Sequence, residues 1–580
     1  MFKKRYFFKK ATKIIIINIL AIFLIIISIG IFFNYFHKNI SKEDNLIKNH
    51  LDKLIDENIS TKLGGYGFIL FDDKGKIWSN TGGYINANNE SFKDNTVFYI
   101  GELSQHFTFL SLLKLEEEGK IDLEKNLSYY LPEIFNSKNQ NLNIIGQLKI
   151  INILKNRTGF ISLLPKSLKK YDFNNDIKYY LERLNQFYNE DSKYTESNII
   201  IDVLGLLIQK ITHKGFENYI DDQIFKKIGM KYSSFISNKK LKNESLFFAK
   251  TEIIDLYSDI ELLSPSISMK SSLSDLIKFY SLLISREKVK DNRNIIPEKY
   301  IYLISSPSNE YQLNLEGYET SMGWYLNDIN LTYIGPVLSK SGSFLTHRVL
   351  VFLLPNYNIG LICASNTYNW GEKQYLYDYA IKILKSYVNL KYNINEPEFI
   401  MPEEKEIPVD IKKNCQGFYA SNNGLINIKI ENNYLILSYK GGYAKFAYFE
   451  QNQFLPVENN EYKMIKYILP DKIILVFKSK AQFIFTKLNS KINYLLPLKE
   501  GIYQCQNSSI FPSYFILKNY DYFSTITLDD GNEYLIIPTK NNSYKILSDQ
   551  TFIFYNKNIF YDLPDAIYVG DNKYMFKTGL

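Results

Sequence analysis

The 580-residue sequence has few of the residues that build metal centres or disulfide frameworks. It contains only three cysteines, Cys363, Cys415 and Cys505, without a Cys-x-x-Cys pair, and five scattered histidines. This scarcity argues against a zinc site and a disulfide scaffold. Cys415 and Cys505 could pair if two domains pack together, but three unpaired thiols are the simpler expectation. We therefore expect no metal and no cofactor.

The chain also lacks a basic excess beyond its first residues. The formal net charge is +8, and six positive charges lie in residues 1–13, so the remainder is near +2 (8 minus 6). No stripe of Lys and Arg interleaved with aromatic residues is present, which argues against a nucleic-acid partner. Hydrophobic residues make up 46% of the chain. That content and the length predict roughly two to four domains with real cores.

One long apolar run occurs near the N-terminus, at residues 14–33, after the basic segment 1–13. The run is long enough to cross a bilayer as one helix. The positive-inside rule then predicts a cytoplasmic basic N-terminus and an exported remainder. A cleaved signal peptide is the alternative, but the run is long for one and no small-residue cleavage site follows. We expect a single-pass signal anchor in the plasma (inner) membrane, with the bulk of the chain extracytoplasmic or periplasmic.

The rest of the chain changes pattern several times. A polar tether, residues 34–54, precedes a region of interleaved strand and helix patterns, residues 55–390. A linker rich in Pro and Glu, residues 391–411, follows. Residues 412–490 and 498–580 then show short alternating strands that look like a diverged repeat. We predict two small β-barrels there, since closure removes exposed sheet edges.

Two local patterns lie inside the mixed region. The stretch "GYGFILFDDKGKIWSN" predicts a hairpin that turns at Asp72 to Gly75. A helix that starts near Glu102 should end at Gly119. Its apolar side chains are expected to lie on one stripe, formed by Leu103, Phe107, Leu110 and Leu113.

Several stretches between about 60 and 390 carry a family resemblance. "FYIGELSQHFT" is similar to F-x-I-G-S-x-(S/T)-K-x-F-T, and "SKSGSF" is similar to a Lys/His-Thr-Gly strand. With "LEEEGKIDLEKNLSYYLPEI" and "SMGWYL" between them, this order resembles the serine β-lactamase and penicillin-binding protein superfamily. The branch holding class C β-lactamases, D-aminopeptidases and related esterases is the most similar.

This resemblance implies an α+β fold. A β-lactamase/transpeptidase-like domain, with an antiparallel sheet flanked by helices and a helical subdomain, would be followed by two small antiparallel β-barrel domains. The barrels resemble the lipocalin-like domains appended to D-aminopeptidase-type relatives.

The resemblance also assigns roles to positions. In the superfamily a helix N-terminal Ser attacks a carbonyl, a Lys one turn later helps remove its proton, and a Tyr assists. Here the serine position is Glu102 and the lysine position is Gln105. The tyrosine position is Glu196, unless the loop slips and Tyr194 serves instead. The Lys-Thr-Gly strand is kept as Lys340 to Gly342.

The next residue along that strand, Ser343, would supply a backbone N–H to the oxyanion hole. The predicted ligand cleft is formed by the following residues: Glu102, Gln105, Tyr194, Glu196, Asn198, Lys340, Ser341, Gly342 and Ser343.

Other serines are poor replacements for the missing nucleophile. Ser104 points about 200° away from position 102 on a helix, and Ser111 should be buried in the helix interior. Ser-x-x-Lys pairs are common by chance in this composition; they occur at Ser111/Lys114, Ser167/Lys170, Ser237/Lys240 and Ser285/Lys288.

Glu102 has two readings. Its negative charge could interact favourably with the positive end of the helix dipole, and its carboxylate could form a structural salt bridge with Lys340. It could instead form a two-carboxylate site with Glu196, which would divide acid and base roles or hold a cation or an amine. The first reading is the simpler, because a carboxylate pair alone is a weak catalytic signal.

These observations predict a membrane-anchored pseudoenzyme that binds a cell-envelope ligand, such as peptidoglycan, or an envelope protein partner. The first alternative is an active serine-type hydrolase, of peptidase, esterase or β-lactamase kind, with a non-standard nucleophile. The second is an acid/base hydrolase that uses Glu102 and Glu196.

Overall fold

In this computed structural model the described residues are 44–488, with gaps, and separate strands between 501 and 577. The longest gaps are 163–169, 185–194, 254–260, 285–294, 301–318 and 369–374. The predicted basic segment 1–13, the apolar run 14–33 and the first part of the tether lie outside the described residues. No helix among the residues that are described is long and apolar enough to cross a membrane.

The chain divides into two compact units. The smaller unit contains a helix at residues 44–53 and the end of the helix Tyr375–Tyr392. Lys391 Nζ lies 2.8 Å from Asp44 Oδ1, and Leu51 and Val388 are fully buried. Residues 44–53 of the predicted tether 34–54 thus form a helix.

A seven-stranded antiparallel sheet forms the centre of the larger unit. Its order is Glu319–Ser321, Trp324–Leu326, Leu338–Phe344, His347–Leu354, Ile359–Ser365, Tyr66–Asp72 and Gly75–Gly82. The predicted hairpin is confirmed: Asp72 Oδ1 accepts hydrogen bonds from the N–H groups of Lys74 and Gly75, at 2.8 and 2.9 Å. The Asp72 side chain therefore holds the turn.

Helices and short strands surround this sheet. The α-helices are Ser104–Glu117, Leu127–Tyr130, Pro132–Phe135, Gln140–Gly146, Ile150–Leu154, Phe173–Leu181, Asn198–Thr212, Phe216–Ile220, Lys226–Ile228 and Leu273–Ile284. Single turns of tighter or wider helix lie at Gly101–Leu103, Asp221–Phe225, Ile329–Leu331 and Pro355–Tyr357. The short strands are Val97–Tyr99, Arg157–Ser162, Lys170–Asp172, Thr195–Ser197, Phe248–Ala249, Glu252–Ile253, Glu261–Leu263, Lys270–Ser272 and Thr367–Tyr368.

Close packing joins the helical layer to the sheet. A Cβ at Gly67 would lie 2.5 Å from Leu273 Cδ1, so the first residue of the helix Leu273–Ile284 packs directly on the strand Tyr66–Asp72, next to the sheet edge. The β-lactamase-like α+β architecture predicted from the sequence is confirmed.

The helix Ser104–Glu117 differs from its predicted amphipathic pattern. It ends before Gly119, which has a φ of +69°, as expected of a left-handed helix terminus. However, every residue from Ser104 to Leu115 is buried, including the polar Gln105 and His106. The predicted stripe of four residues was therefore too narrow, because layers pack on this helix from several sides.

The strands Gly417–Ser421 to Gln482–Lys487 close into an eight-stranded antiparallel barrel. The strands are Gly417–Ser421, Gly424–Glu431, Tyr434–Tyr439, Gly442–Glu450, Gln453–Pro456, Tyr462–Ile468, Lys472–Phe477 and Gln482–Lys487. Side chains such as Phe446, Phe454 and Phe485 fill its interior. An eight-stranded barrel is just wide enough for such filling.

A short helix, Val409–Asn414, packs into the same core through Ile411, together with Ile407 from the segment before it. The predicted linker 391–411 therefore ends earlier than expected. Tyr419 donates a hydrogen bond to the Cys415 carbonyl at 2.7 Å. Cys415 is a free thiol, so the possible pairing with Cys505 is wrong, and burial raises the pKa of the Cys415 thiol to about 11.

The final strands pair into a second closed barrel. They are Gly501–Gln506, Tyr514–Tyr520, Phe523–Leu528, Glu533–Pro538, Ser543–Leu547, Ile553–Tyr555, Asp565–Tyr568 and Tyr574–Lys577. Most neighbours are antiparallel, as predicted. Two neighbouring pairs are parallel, however: the first strand with the last, and Ile553–Tyr555 with Asp565–Tyr568.

Candidate functional site

The candidate site forms where the turn Gly101–Leu103 meets the strand Leu338–Phe344. Gly101 has a φ of +54°, and a Cβ there would lie 2.3 Å from the Ser343 nitrogen. A Cβ at Gly342 would lie 2.0 Å from the Ile100 carbonyl oxygen. Neither contact leaves room for a side chain, so the two glycines allow the two backbones to touch. This contact places residue 102 beside residue 343.

The Glu102 carboxylate binds the backbone of the opposite strand. Ser343 N–H donates a hydrogen bond to Glu102 Oε2 at 2.7 Å. This N–H is the group predicted to be the oxyanion donor, and a carboxylate is a strong acceptor for it. Among the ion pairs of the described residues there is none between Glu102 and Lys340. Where a salt bridge to Lys340 was expected, the Glu102 carboxylate instead accepts a hydrogen bond from the Ser343 backbone N–H.

Gln105 lies one turn further along and is fully buried. Its Nε2 donates a hydrogen bond to Asn198 Oδ1 at 3.2 Å, so the structure brings together two of the predicted cleft residues. Asn198 is the first residue of the helix Asn198–Thr212, where the Ser197 hydroxyl accepts from the Ile200 N–H. An amide has no basic nitrogen, so Gln105 cannot take a proton as the lysine of the superfamily does.

Glu196 and Tyr194, the two candidates for the tyrosine position, are described less fully. Glu196 lies in the short strand Thr195–Ser197, which pairs in parallel with Arg157–Ser162. The position of its side chain, and all of Tyr194, lie outside the described part of the chain. The two-carboxylate site of Glu102 and Glu196 therefore stays a prediction.

The stretch that resembles the Lys-Thr-Gly strand lies in the strand Leu338–Phe344. Lys340 is buried, and its Nζ lies 5.2 Å from the centre of the Tyr325 ring, on the adjacent strand. Ser341 is exposed, whereas Gly342 is buried against Ile100. The strand therefore keeps a cation, a backbone contact and a donor in the order that the superfamily pattern requires.

The alternative serines are engaged in other bonds. The buried Ser104 hydroxyl donates to the Gly101 carbonyl at 2.6 Å and accepts from the Met269 N–H at 3.1 Å. The buried Ser111 hydroxyl donates to the Phe107 carbonyl at 2.8 Å. The structure thus gives both hydroxyls structural roles. The serines of the other three Ser-x-x-Lys pairs lie outside the described residues.

Two buried histidines near the site were not singled out in the sequence. His106 Nδ1 lies 3.0 Å from the Tyr280 hydroxyl, and its ring stacks on Trp324 with a centroid distance of 4.3 Å. Burial, and next the Lys340 charge, hold the pKa of His106 well below its usual value. His106 is therefore a neutral residue of the core. In the sequence, its position directly after Gln105 could have indicated that it lies near the site.

His347 supports the other side of the same turn. Its Nδ1 accepts a hydrogen bond from the Tyr99 N–H at 3.1 Å, and its Nε2 donates to the Leu246 carbonyl at 3.2 Å. Burial is the main cause that lowers the pKa of His347 to about 3. The neutral ring therefore links its own strand to the backbone at Tyr99 and at Leu246.

A buried carboxylate network, also missed in the sequence, fixes the helix Asn198–Thr212. Asp202 accepts hydrogen bonds from the Ser264 hydroxyl at 2.8 Å and from the Ser266 N–H at 2.9 Å. The serine-rich "SPSIS" stretch could have indicated such a partner. No cluster of three His, Cys, Asp or Glu residues among those described could hold a metal ion.

Comparison with known proteins assigns the family. The model of the Beta-lactamase family matches residues 44–385, more than half of the chain. The chain therefore belongs to the β-lactamase family, and the resemblance predicted from the sequence is confirmed.

Individual relatives are distant. "Protein flp" of Staphylococcus aureus (strain N315) is 24% identical over 338 residues, which cover 55% of this chain and 63% of that protein. A Beta-lactamase of Providencia stuartii is 24% identical over 198 residues, covering 34% of this chain and 49% of that protein. The chain thus matches less than two thirds of the length of either relative.

A solved structure supports the fold alone. The crystal structure of SurE with D-Leu superposes with a TM-score of 0.51 at 12% identity, covering 77% of this chain and all of that one.

Proposed function

We propose that this β-lactamase-family protein does not use the serine acyl-enzyme route and acts instead as an envelope-binding protein held at the membrane by residues 14–33. The observation that carries the proposal is the hydrogen bond from Ser343 N–H to Glu102 Oε2. The position of the nucleophile and the position of the oxyanion donor are joined by a group that cannot be acylated as a serine is.

Acyl transfer in this fold needs three things at once. It needs a hydroxyl, a base to activate that hydroxyl, and free donors for the oxyanion. Here the first position carries a carboxylate and the second carries the amide of Gln105. The oxyanion donor, the Ser343 N–H, is already hydrogen-bonded to Glu102. Restoring one of these alone would leave the others unfit for the reaction.

The strand that carries Lys340 and Gly342 supports a binding role. Lys340 and Gly342 remain in place although the nucleophile is gone. A carboxylate at position 102 would repel an incoming carboxylate-bearing peptide. The site therefore favours a neutral or amine-bearing ligand, or a protein partner, over a penicillin or a D-Ala-D-Ala peptide.

The test is covalent labelling of the full chain. We expect no adduct on any pocket residue by mass spectrometry after incubation with a fluorescent penicillin or a fluorophosphonate. A stable adduct on the wild-type pocket, at Tyr194 or elsewhere, would overturn the proposal and favour an active hydrolase.

A matched variant shows whether the rest of the pocket is competent. Glu102→Ser combined with Gln105→Lys restores hydroxyl and base and releases Ser343 N–H, so we expect labelling to appear only in this double variant. Glu102→Gln addresses the acid/base alternative: turnover of a sugar or peptide library that is present in the wild type and lost in Glu102→Gln would contradict the binding role.

A further inference from the structure

One oxygen of the Glu102 carboxylate is held by the protein, and the other is not. Oε2 accepts the hydrogen bond from Ser343 N–H at 2.7 Å, and no described residue forms an ion pair or a second hydrogen bond with this carboxylate. A carboxylate has about four acceptor positions, so most of its capacity, including Oε1, stays unused. The Glu102 side chain is also only half-buried. A donor that does not belong to the chain can therefore reach it.

The amide of Asn198 supplies a donor near the same place. Its Oδ1 accepts the hydrogen bond from Gln105 Nε2 at 3.2 Å, whereas its Nδ2 has no partner among the described residues. Asn198 is 1% exposed, and its Nδ2 is not one of the sealed polar atoms without a partner, as both amide atoms of Asn156 are. The small exposed part of Asn198 thus includes this NH₂ group, which is open to an acceptor.

Glu102 and Asn198 both adjoin Gln105. Glu102 lies three residues before Gln105, where the tight turn Gly101–Leu103 leads into the helix Ser104–Glu117. Residues three apart in such a turn lie on the same side of the helix. Asn198 contacts Gln105 directly. One small molecule that lies beside Gln105 can therefore meet the acceptor of Glu102 and the donor of Asn198 together.

The charge of the pocket changes sign along this helix. Glu102 carries a negative charge at the first turn. Lys340 acts one turn later, where its positive charge is the second cause of the lowered pKa of His106. A ligand with a positive end at Glu102 and an oxygen directed towards Asn198 matches both charges. A ligand carboxylate placed at Glu102 would be repelled.

We propose that this pocket binds a primary ammonium group with an oxygen acceptor on the adjacent carbon atom, as at the amino end of a peptide or in an amino sugar. The ammonium donates to Glu102 Oε1, and the oxygen accepts from Asn198 Nδ2. The Ser343 N–H fixes the carboxylate before the ligand arrives, which lowers the entropic cost of binding. The inference rests on the binding role proposed above and names the class of ligand for it.

The test measures the binding of small probes to the full chain in detergent by saturation-transfer difference NMR titration. Glycinamide carries both the ammonium and the carbonyl oxygen. Isobutylamine has the same shape but lacks the oxygen, and N-acetylglycinamide lacks the charge. Glucosamine and N-acetylglucosamine form a second matched pair, which distinguishes an amino sugar from the amino end of a peptide.

We expect glycinamide to bind at least about fivefold more tightly than N-acetylglycinamide, because a hydrogen bond to a charged group is stronger than one between neutral groups. Isobutylamine should bind about threefold more weakly than glycinamide, because it leaves Asn198 Nδ2 without an acceptor. If glucosamine binds and glycinamide does not, the same chemistry is supported and the sugar is its source.

The variant Glu102→Gln separates the charge from the shape of the site. It keeps an acceptor for the Ser343 N–H, and we expect it to bind the ammonium probe at least about fivefold more weakly than the wild type. Glu133→Gln, at an exposed carboxylate that pairs with Lys210 at 2.9 Å, is the matched control and should bind as the wild type does.

Three results would overturn the inference. They are equal binding to the wild type and Glu102→Gln, equal binding of glycinamide and isobutylamine, and no binding of either ammonium probe. The labelling test described above remains separate from these. A penicillin adduct would overturn the proposed function and the inference with it, whereas the absence of both an adduct and amine binding would overturn the inference alone.

Discussion

The two sides of the candidate pocket have diverged to different extents. The strand side keeps Lys340, Gly342 and the Ser343 donor in superfamily order, whereas the helix side carries Glu102 and Gln105 where the reacting groups would be. Both sides keep the glycines that let their backbones touch. In this chain the contact between the two sides rests on the glycines, whereas the side chains at positions 102 and 105 determine which chemistry the site can perform.

The largest expected effect comes from separating the two sides. In Gly342→Ala the new Cβ would lie 2.0 Å from the Ile100 carbonyl, an atom of backbone that cannot rotate away. We expect the free energy of unfolding in urea to fall by about 3 kcal/mol or more.

The matched control is Gly119→Ala, at a φ of +69° with no atom within 4 Å of the new Cβ. Its expected loss is about 1 kcal/mol, from backbone conformation alone. Equal losses in the two variants would contradict the close contact between the two sides.

A smaller effect is expected from the hydroxyl that supports the helix side. Ser104→Ala removes a buried group that joins the Gly101 carbonyl to the Met269 N–H. We expect a loss of about 2 kcal/mol in the free energy of unfolding, since the Met269 N–H stays buried.

Ser111→Ala, in the same helix, is the comparison for that loss. The Ser111 hydroxyl donates only to a helical carbonyl, that of Phe107, and its removal should cost about 0.5 kcal/mol or less. A greater loss in Ser111→Ala than in Ser104→Ala would show that the turn at Gly101 does not depend on Ser104.

We expect acid to lower the free energy of unfolding through protonation of His347, which lies in the strand beside Leu338–Phe344. The pKa of His347 is about 3 in the folded chain and near 6.5 in the unfolded chain, so the unfolded state binds more protons between these values. The contribution of His347 to the free energy of unfolding is fully present above pH 6.5. It falls as the pH drops towards 3, by about 2 kcal/mol between pH 6.5 and pH 5.

Urea unfolding of the wild type and of His347→Gln at pH 7 and pH 5 checks this sign. The variant should lose less stability than the wild type over that interval. His106 contributes in the same direction in both proteins, because burial also lowers its pKa. Identical pH dependence in the two proteins would show that His347 does not titrate as the structure implies.

The smallest loss of stability is expected at the contact between the two sides of the pocket. Glu102→Ala removes the acceptor of Ser343 N–H, at a site that is only half-buried. We expect a loss of about 1 kcal/mol and faster amide hydrogen exchange at Ser343. Glu102→Gln keeps an acceptor oxygen and should stay closer to the wild type. Unchanged exchange at Ser343 in Glu102→Ala would contradict the bond.

Much of the pocket follows from sequence pattern because motif order fixes register. Gly101 and Phe107 place Glu102 at the start of the helix, and the Lys-Ser-Gly run places Ser343 on the facing strand. Gln105 and Asn198, both predicted to line the cleft, are hydrogen-bonded to each other.

The partner of Glu102 could not be predicted in the same way. A glutamate at this position could bond either to Lys340 or to the Ser343 N–H, and a sequence motif does not distinguish the two partners. The buried histidines were missed for a related reason. His106 and His347 are isolated in sequence, and their neutral state results from burial by segments that are far apart in the chain.

The packed interior of the first barrel has a consequence for how this chain can change over time. Aromatic and aliphatic side chains, with Ile411 of the short helix, pack together in its core. Alternate residues along each strand therefore point outwards, away from this filled interior. Those positions can be exchanged one by one without repacking the centre, so the surface of the barrel can vary while its scaffold stays the same.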